Sequence, residues 1–197
     1  MRQLMRKSTL LFEATLEIYL VIRSRGSLRY HLAHTQPSRS FVKQWVQAIK
    51  ANFQYAAEAN VKDTSAVLRA FTPGLIQINA ALANALFGIV LGTGNTPVAI
   101  SDYKLQTQIA HGSGAGQLNY KEVFIDALEL VGSTAKFRSR RQYENLSGST
   151  ITVKEAGIYA VGPSAYYYCL IRDILTSPFD IPNTQIAEFR YTFKATV

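Results

Sequence analysis

The sequence predicts a mainly β protein: an antiparallel β-sandwich, jelly-roll-like, with an N-terminal β-hairpin and one amphipathic α-helix. Three observations predict it. After Asn60, short runs rich in Val, Ile, Thr, Tyr and Phe are divided by Gly, Pro, Asn and Ser at intervals of about ten residues. Before Asn60, a period-two pattern turns at Gly26, and a single stretch then changes to the helical period. No strand-helix alternation of the kind that builds a parallel sheet follows.

Leu16, Ile18, Leu20 and Ile22 alternate with Glu17, Tyr19, Val21 and Arg23; "SRGS" breaks the run, and Leu28, Tyr30 and Leu32 resume it as the second arm of a hairpin. In "QPSRSFVKQWVQAIKANFQY", Phe41, Val42, Trp45, Val46, Ile49 and Phe53 recur at three- and four-residue steps, which predicts a helix over 41–55. Ser38 or Ser40 is available to cap it, and Lys43, Gln44, Gln47 and Lys50 form its polar face. Strands are then expected over 61–70, 75–80, 85–91, 103–109, 118–130, 134–143, 150–160, 166–175 and 186–197, with a helical alternative for 75–91. "VGST" reads as a hairpin turn. The best internal boundary lies near Asn60, separating a basic hairpin-and-helix arm, residues 1–59, from a β-sandwich body, residues 60–197.

At 197 residues and nearly half apolar, the chain is long enough to bury a substantial core, and its composition is that of a folded protein. The net charge is +8. Nearly all of the excess lies between Met1 and Lys50, where nine Lys/Arg (Arg2, Arg6, Lys7, Arg23, Arg25, Arg29, Arg39, Lys43, Lys50) face only Glu13 and Glu17. Such an arm suits a solvated basic surface or an acidic neighbour. Cys169 is the only cysteine, so no intrachain disulfide forms, and "YYYCLIRD" makes it a buried thiol. The first twenty residues imitate a signal peptide, but Glu13 and Glu17 interrupt the apolar run and no small-residue cleavage site follows, so neither a secretion signal nor a membrane span is expected.

Candidate chemistry is sparse. "IVLGTGNTPVAISDYKL" places Gly92 and Gly94 after an apolar run, as a phosphate loop would. Pro97 stands where a dinucleotide loop needs its third glycine, it removes an N–H, and no helix begins there. The segment therefore reads as a strand end and a turn. "HGSGAG", His111 to Gly116, is a second glycine-rich loop with the same weakness. His31 and His34 fall on opposite faces of a strand, which is poor for one metal. No serine or cysteine nucleophile motif is present. Asp102, Asp126, Asp173 and Asp180 read as turn and cap residues. In "KFRSRRQYEN", Arg138 and Arg140 share a strand face and Arg141 lies opposite, which suits a salt-bridged subunit contact better than a phosphate-tracking stripe. No catalytic, cofactor-binding or metal-binding residue is assigned.

Three segments taken together resemble a known group. "GIVLGTGNTPVAISDYKLQTQIAHGSGAGQLNY", "ITVKEAGIYA" and "LIRDILTSPFDIPNTQIAEFRYTFKATV", within residues 88 to 197, are similar to β-sandwich structural proteins of tailed bacteriophage virions. The sequence departs from that pattern at Asn183–Thr184, where such proteins commonly place a glycine, and it adds the basic arm. The resemblance implies a head decoration, tail or fibre subunit, localised in the virion after assembly in the host cytoplasm. Its partners would be copies of itself and other virion proteins, with no cofactor, no membrane and no substrate turnover. Nucleic acid is the less favoured partner.

On that expectation the interface candidates are Trp45 on the docking helix, Arg138, Arg140 and Arg141, and Phe189 and Tyr191 on the terminal strand, where aromatics alternate with charges. Trp45 also reads as a core anchor. The first alternative is a carbohydrate- or receptor-binding fibre module, whose sign would be Tyr166, Tyr167 and Tyr168 exposed on one concave face. A second is a glycan hydrolase, which would need two carboxylates converging in a groove.

Overall fold

The computed structural model describes residues 11–197 apart from Arg25 and Leu75. The basic residues Arg2, Arg6 and Lys7 and the signal-like start lie outside the described residues. In chain order the elements are β1 (Leu11–Ser24), β2 (Ser27–Ser38), α1 (Lys43–Gln54), β3 (Glu58–Lys62), β4 (Leu68–Phe71), β5 (Gly88–Gly92) and β6 (Asn119–Ile125). There follow β7 (Glu129–Val131), β8 (Thr134–Glu144), β9 (Ile151–Val161), β10 (Tyr167–Ile181) and β11 (Ile186–Thr196). A 3-10 turn, Pro163–Ala165, links β9 to β10.

All strand pairings are antiparallel and build a sandwich. A six-stranded sheet runs β2-β1-β11-β8-β6, with β7 also pairing β8; a three-stranded sheet runs β10-β9-β5; and β3-β4 form a small hairpin. The main core lies between the two larger sheets. Ala14, Leu16, Ile18, Tyr143, Phe189, Tyr191 and Phe193 meet Ile89, Leu91, Val153, Ile158, Cys169 and Ile171 there. Alternation in β1 and β11 follows from one face being buried and the other wet.

The hairpin at the N-terminus is part of this sandwich. β1 pairs with β11 from Leu11 opposite Thr196 to Val21 opposite Ile186, and its Ala14, Leu16 and Ile18 are core residues. The division into an arm of residues 1–59 and a body of residues 60–197 is therefore corrected: strand pairing and a shared core cross that boundary. The first strand forms beside the last because its apolar side chains fill the space that β11 leaves on the inner face. Gly26, at φ 81°, makes the hairpin turn as expected, and Gly132 makes the β7–β8 turn.

The helix also differs from its pattern. Its N-cap is Val42 with no side-chain cap, because Ser38 instead donates a hydrogen bond to Asp173 at 2.6 Å. Its buried residues are Gln44, which donates to the Lys62 carbonyl, and Ala48 and Ala51, which pack with Val61 of β3, Phe71 of β4 and Tyr168 of β10, while Val46 and Phe53 are exposed. Small residues let the helix approach the hairpin closely, and that close approach outranks the larger apolar side chains.

Of the expected strands, the described residues 76–80 of the first segment, 75–80, and residues 103–109 are not strands but loop segments touching the sheet through single bridges at Gln77 and Gln108, and 61–70 is interrupted between β3 and β4. These loops cover the three-stranded sheet. Ile109 donates its N–H to Leu91 and Thr93 donates to Thr107, so one edge is closed by the glycine loop. The other edge is closed by the approach to α1, where Val42 donates to Leu170 and Arg172 donates to Ser40.

Candidate functional site

The glycine loop between Gly92 and Thr107 is organised by a buried ion network. Glu155 on β9 is fully buried; its carboxylate accepts from the backbone N–H groups of Gly94 at 3.1 Å, Gln106 at 3.1 Å and Thr107 at 2.8 Å. Arg172 on β10 donates from Nε to Glu155 at 2.9 Å and from Nη1 to Asp102 at 2.7 Å, and its Nη2 reaches the Thr96 carbonyl and hydroxyl at 3.1 Å. Burial opposes the charge on Arg172, but the Asp102 and Glu155 carboxylates outweigh it and hold the guanidinium pKa above its ordinary value. The loop's N–H groups thus converge on an anion that the chain itself supplies, and the Glu155 carboxylate fills the place that a bound phosphate would take. Glycine is required because a Cβ at Gly92 or Gly94 would stand 2.6 or 2.5 Å from the Glu155 carboxylate.

A second buried cation stabilises the neighbouring loop. Arg141 on β8 is 1% exposed and donates to the carbonyls of Lys121, Phe87, Ile89 and Asn84, with its guanidinium over the Tyr120 ring. Burial lowers its pKa, with Tyr143 and Tyr120 opposing. The carbonyls take the place that a carboxylate would fill.

The expected interface residues separate into two groups. Arg138 and Arg140 lie on the outer face of β8, as the strand period requires, and are bridged within the chain: Arg138 to Asp126 and Glu129, Arg140 to Asp126. Arg141, Phe189 and Tyr191 point inward and are buried, so they are corrected from contact residues to core residues. Trp45 is half-buried and stacks between Phe12, Phe41 and Phe193. That is an anchor joining the start of α1 to the six-stranded sheet. Alternation placed Phe189 and Tyr191 on one face correctly, but the second sheet covers that face.

The signs of the alternatives are also resolved locally. Tyr168 is buried against Phe71, Tyr167 stacks on Phe87, and Tyr166 lies under the Arg69 guanidinium, so the three do not form one exposed row. Asp102, Asp126, Asp173 and Asp180 are separately engaged by Arg172, by Arg138 and Arg140, by Ser38, and by Thr152. Glu155 and Asp102 converge on the Arg172 guanidinium; Asp102 and Arg172 line a cleft of about 230 Å³, and Glu155 is buried. Among the described residues, no group of three or more His, Cys, Asp or Glu is placed to hold a metal, and no helix is long and apolar enough to cross a membrane. A cleft of about 490 Å³ is ringed by Phe12, Pro37, Arg39 and Phe41.

What sequence reasoning missed is the state of the sheet edges. The six-stranded sheet ends in β2 on one side and in β6 and β7 on the other, and no strand among the described residues pairs with their outer edges. Beyond Val21 the β1–β2 hairpin outruns β11, leaving Ile22 and Leu28 exposed; Leu32, opposite Tyr19, is exposed as well, while Tyr30 is partly covered by Gln142 and Arg190. At the opposite edge, Ala80 and Ala83 hydrogen-bond β6 as far as Val123, whereas Phe124, Ile125, Leu128, Leu130 and Val131 are exposed. Apolar residues at both free edges are what a monomer normally avoids. The alternation of Leu28, Tyr30 and Leu32 was legible; that no strand among the described residues pairs beyond it was not.

No family model, no curated protein and no solved structure matches this chain.

Proposed function

We propose that this protein is a non-enzymatic structural subunit of a virus particle of the tailed-phage kind, acting in the head or tail by repeated association with copies of itself and with other virion proteins. The observation that carries the reading is the pair of edges on the six-stranded sheet that no strand among the described residues pairs with, each bearing exposed apolar side chains. A sheet edge offers a row of unsatisfied N–H and C=O groups, and exposed Leu and Tyr beside it add a hydrophobic gain on association. The buried charges support the same reading. Glu155, Arg172 and Arg141 are spent on fixing loops, which suits a rigid building block. The virion assignment rests on the resemblance of the 88–197 segments, and the self-association on the edges.

The test is the mass of the purified chain in solution across a concentration series, together with electron microscopy of what forms. Rings, tubes or other repeating assemblies are expected. A chain that stays monomeric at all concentrations and binds glycans would replace the proposal with the binding-module alternative.

A further inference from the structure

The start of α1, the end of β3 and the loop after Ile100 meet on the side of the three-stranded sheet. Lys43 donates its N–H to the Ile100 carbonyl, and Gln44 Nε2 donates to the Lys62 carbonyl at 3.3 Å. Lys62 Nζ stands 4.0 Å from the centre of the Tyr103 ring, and Lys104 Nζ stands 5.7 Å from the same ring. Lysines from three separate segments are thus gathered on one surface, with Lys43 and Lys104 exposed and Lys62 half-buried.

Their charge is not answered within the chain. From Arg39 to Lys104 the sequence sets Arg39, Lys43, Lys50, Lys62, Arg69 and Lys104 against Glu58, Asp63 and Asp102. Each of those acids is already taken, Glu58 by Lys50, Asp63 by Arg69 and Asp102 by Arg172. Lys43, Lys62 and Lys104 form no ion pair among the described residues. Two ammonium groups over one ring, with no carboxylate in contact with either, repel each other, and an anion placed between them relieves that repulsion.

We infer that this face binds the phosphate backbone of nucleic acid, with Lys43, Lys62 and Lys104 as the phosphate contacts. The residue types select phosphate over carboxylate. Planar carboxylates are best held by the arginine fork, and Arg69 and Arg172 on this side are spent on the chain's own Asp63, Asp102 and Glu155. What faces outward is compact ammonium charge, which suits the spaced single charges of a phosphate chain. Gln106 is exposed and accepts from the Asn95 and Thr96 N–H groups through Oε1, which leaves its Nε2 as a neutral donor beside Lys104. Lys62 covers the Tyr103 ring, so no base stacks on that face and the contact carries no sequence preference. The surface is separate from the sheet edges, and the inference stands independently of self-association.

The test is binding of the full chain to a fluorescent DNA duplex of mixed sequence over a salt series. Each phosphate neutralised by a lysine contributes about −0.9 to the slope of log K against log salt. Lys43→Gln, Lys62→Gln and Lys104→Gln are each expected to make the slope shallower by about one, and the triple variant by about three, with a loss of affinity of about ten-fold or more at about 50 mM salt. Lys136→Gln, whose lysine pairs with Glu129 on the six-stranded sheet, should leave the slope unchanged, and a duplex of unrelated sequence should bind equally. Thermal unfolding of every variant is compared with the parent, and the single variants carry the reading if the triple variant does not fold. A parent that fails to bind at low salt overturns the inference. So does a triple variant that keeps the parent's slope, which would place the contact elsewhere. Competition by polyglutamate as strong as that by DNA of equal charge also overturns it, in favour of an acidic protein partner.

Discussion

Replacing Arg172 by Ala tests whether the buried ion network holds the Gly92–Thr107 loop. In the native fold the guanidinium serves Glu155, Asp102 and Thr96 together, and both its side chain and that of Glu155 are almost wholly out of water. Its removal leaves the Glu155 carboxylate with three backbone donors and no cation. Breaking a buried pair from one side costs about 3–5 kcal/mol, a large part of the total of about 5–15 kcal/mol typical of a folded domain. At about 2–4 °C per kcal/mol for a chain of this size, the melting temperature should fall by about 6–20 °C. Urea unfolding, followed through the single tryptophan, Trp45, measures the free energy. Amide exchange at Gly94, Gln106 and Thr107 reads the loop itself, and these three should lose protection before the strands do. The double variant Glu155→Leu/Arg172→Met removes both charges but orphans the same three N–H groups, at about 1–3 kcal/mol each, so it should not recover parental stability. A loss under about 1 kcal/mol for Arg172→Ala, with the three amides still protected, would refute the clamp.

Three further outcomes follow from the same geometry. Gly94→Ala drives a methyl group against the Glu155 carboxylate and should cost about 1–3 kcal/mol in urea unfolding, whereas Gly116→Ala, in open space, should be governed by its positive φ alone. Burial raises the pKa of Asp173, with hydrogen bonds from Ser38 and Ser40 opposing, so its native state holds the proton more tightly than the unfolded chain. That contribution to stability is present below the ordinary carboxylate pKa of 3.8 and is lost as pH rises through the raised value; the difference in stability between parent and Asp173→Asn, measured across pH 3–7, should shift toward the variant as pH rises. Thr184 holds φ 69° in the turn before β11, a region costly for a β-branched residue, so Thr184→Gly should stabilise by up to about 1 kcal/mol in thermal unfolding.

Much of the fold was legible in local pattern. Alternation in Leu16–Ile22 and in Phe189–Phe193 marked strands with one buried face, and Gly26 and Gly132 marked their turns. Arg138 and Arg140 were set opposite Arg141 by the two-residue period alone. The helix was found, but not its buried face, because the choice between Ala48 and Phe53 depends on how closely a neighbouring hairpin approaches. Residues 75–80 and 103–109 carry strand-like composition yet have only single bridges to a sheet, since composition reports a half-buried environment and not the partner that makes a ladder.

The candidate sites were less legible. Asp102, Glu155 and Arg172 are separated by 53 and 17 positions and meet only because β9 and β10 pair beneath the glycine loop. From the sequence alone, Pro97 was enough to exclude a phosphate cradle, and no local signal revealed that a carboxylate occupies the space in front of Gly94.

The sequence by itself therefore determined the mainly β class, the turns, the single helix and the lack of a nucleotide motif, because each is written in neighbouring residues. Only the tertiary structure decided that β1 lies between β2 and β11, that Arg141 and Tyr191 are interior, and that two apolar edges of one sheet have no pairing strand among the described residues. Those facts depend on contacts between residues far apart in the chain, where burial is set by what the rest of the fold brings alongside and not by the residue's own chemistry.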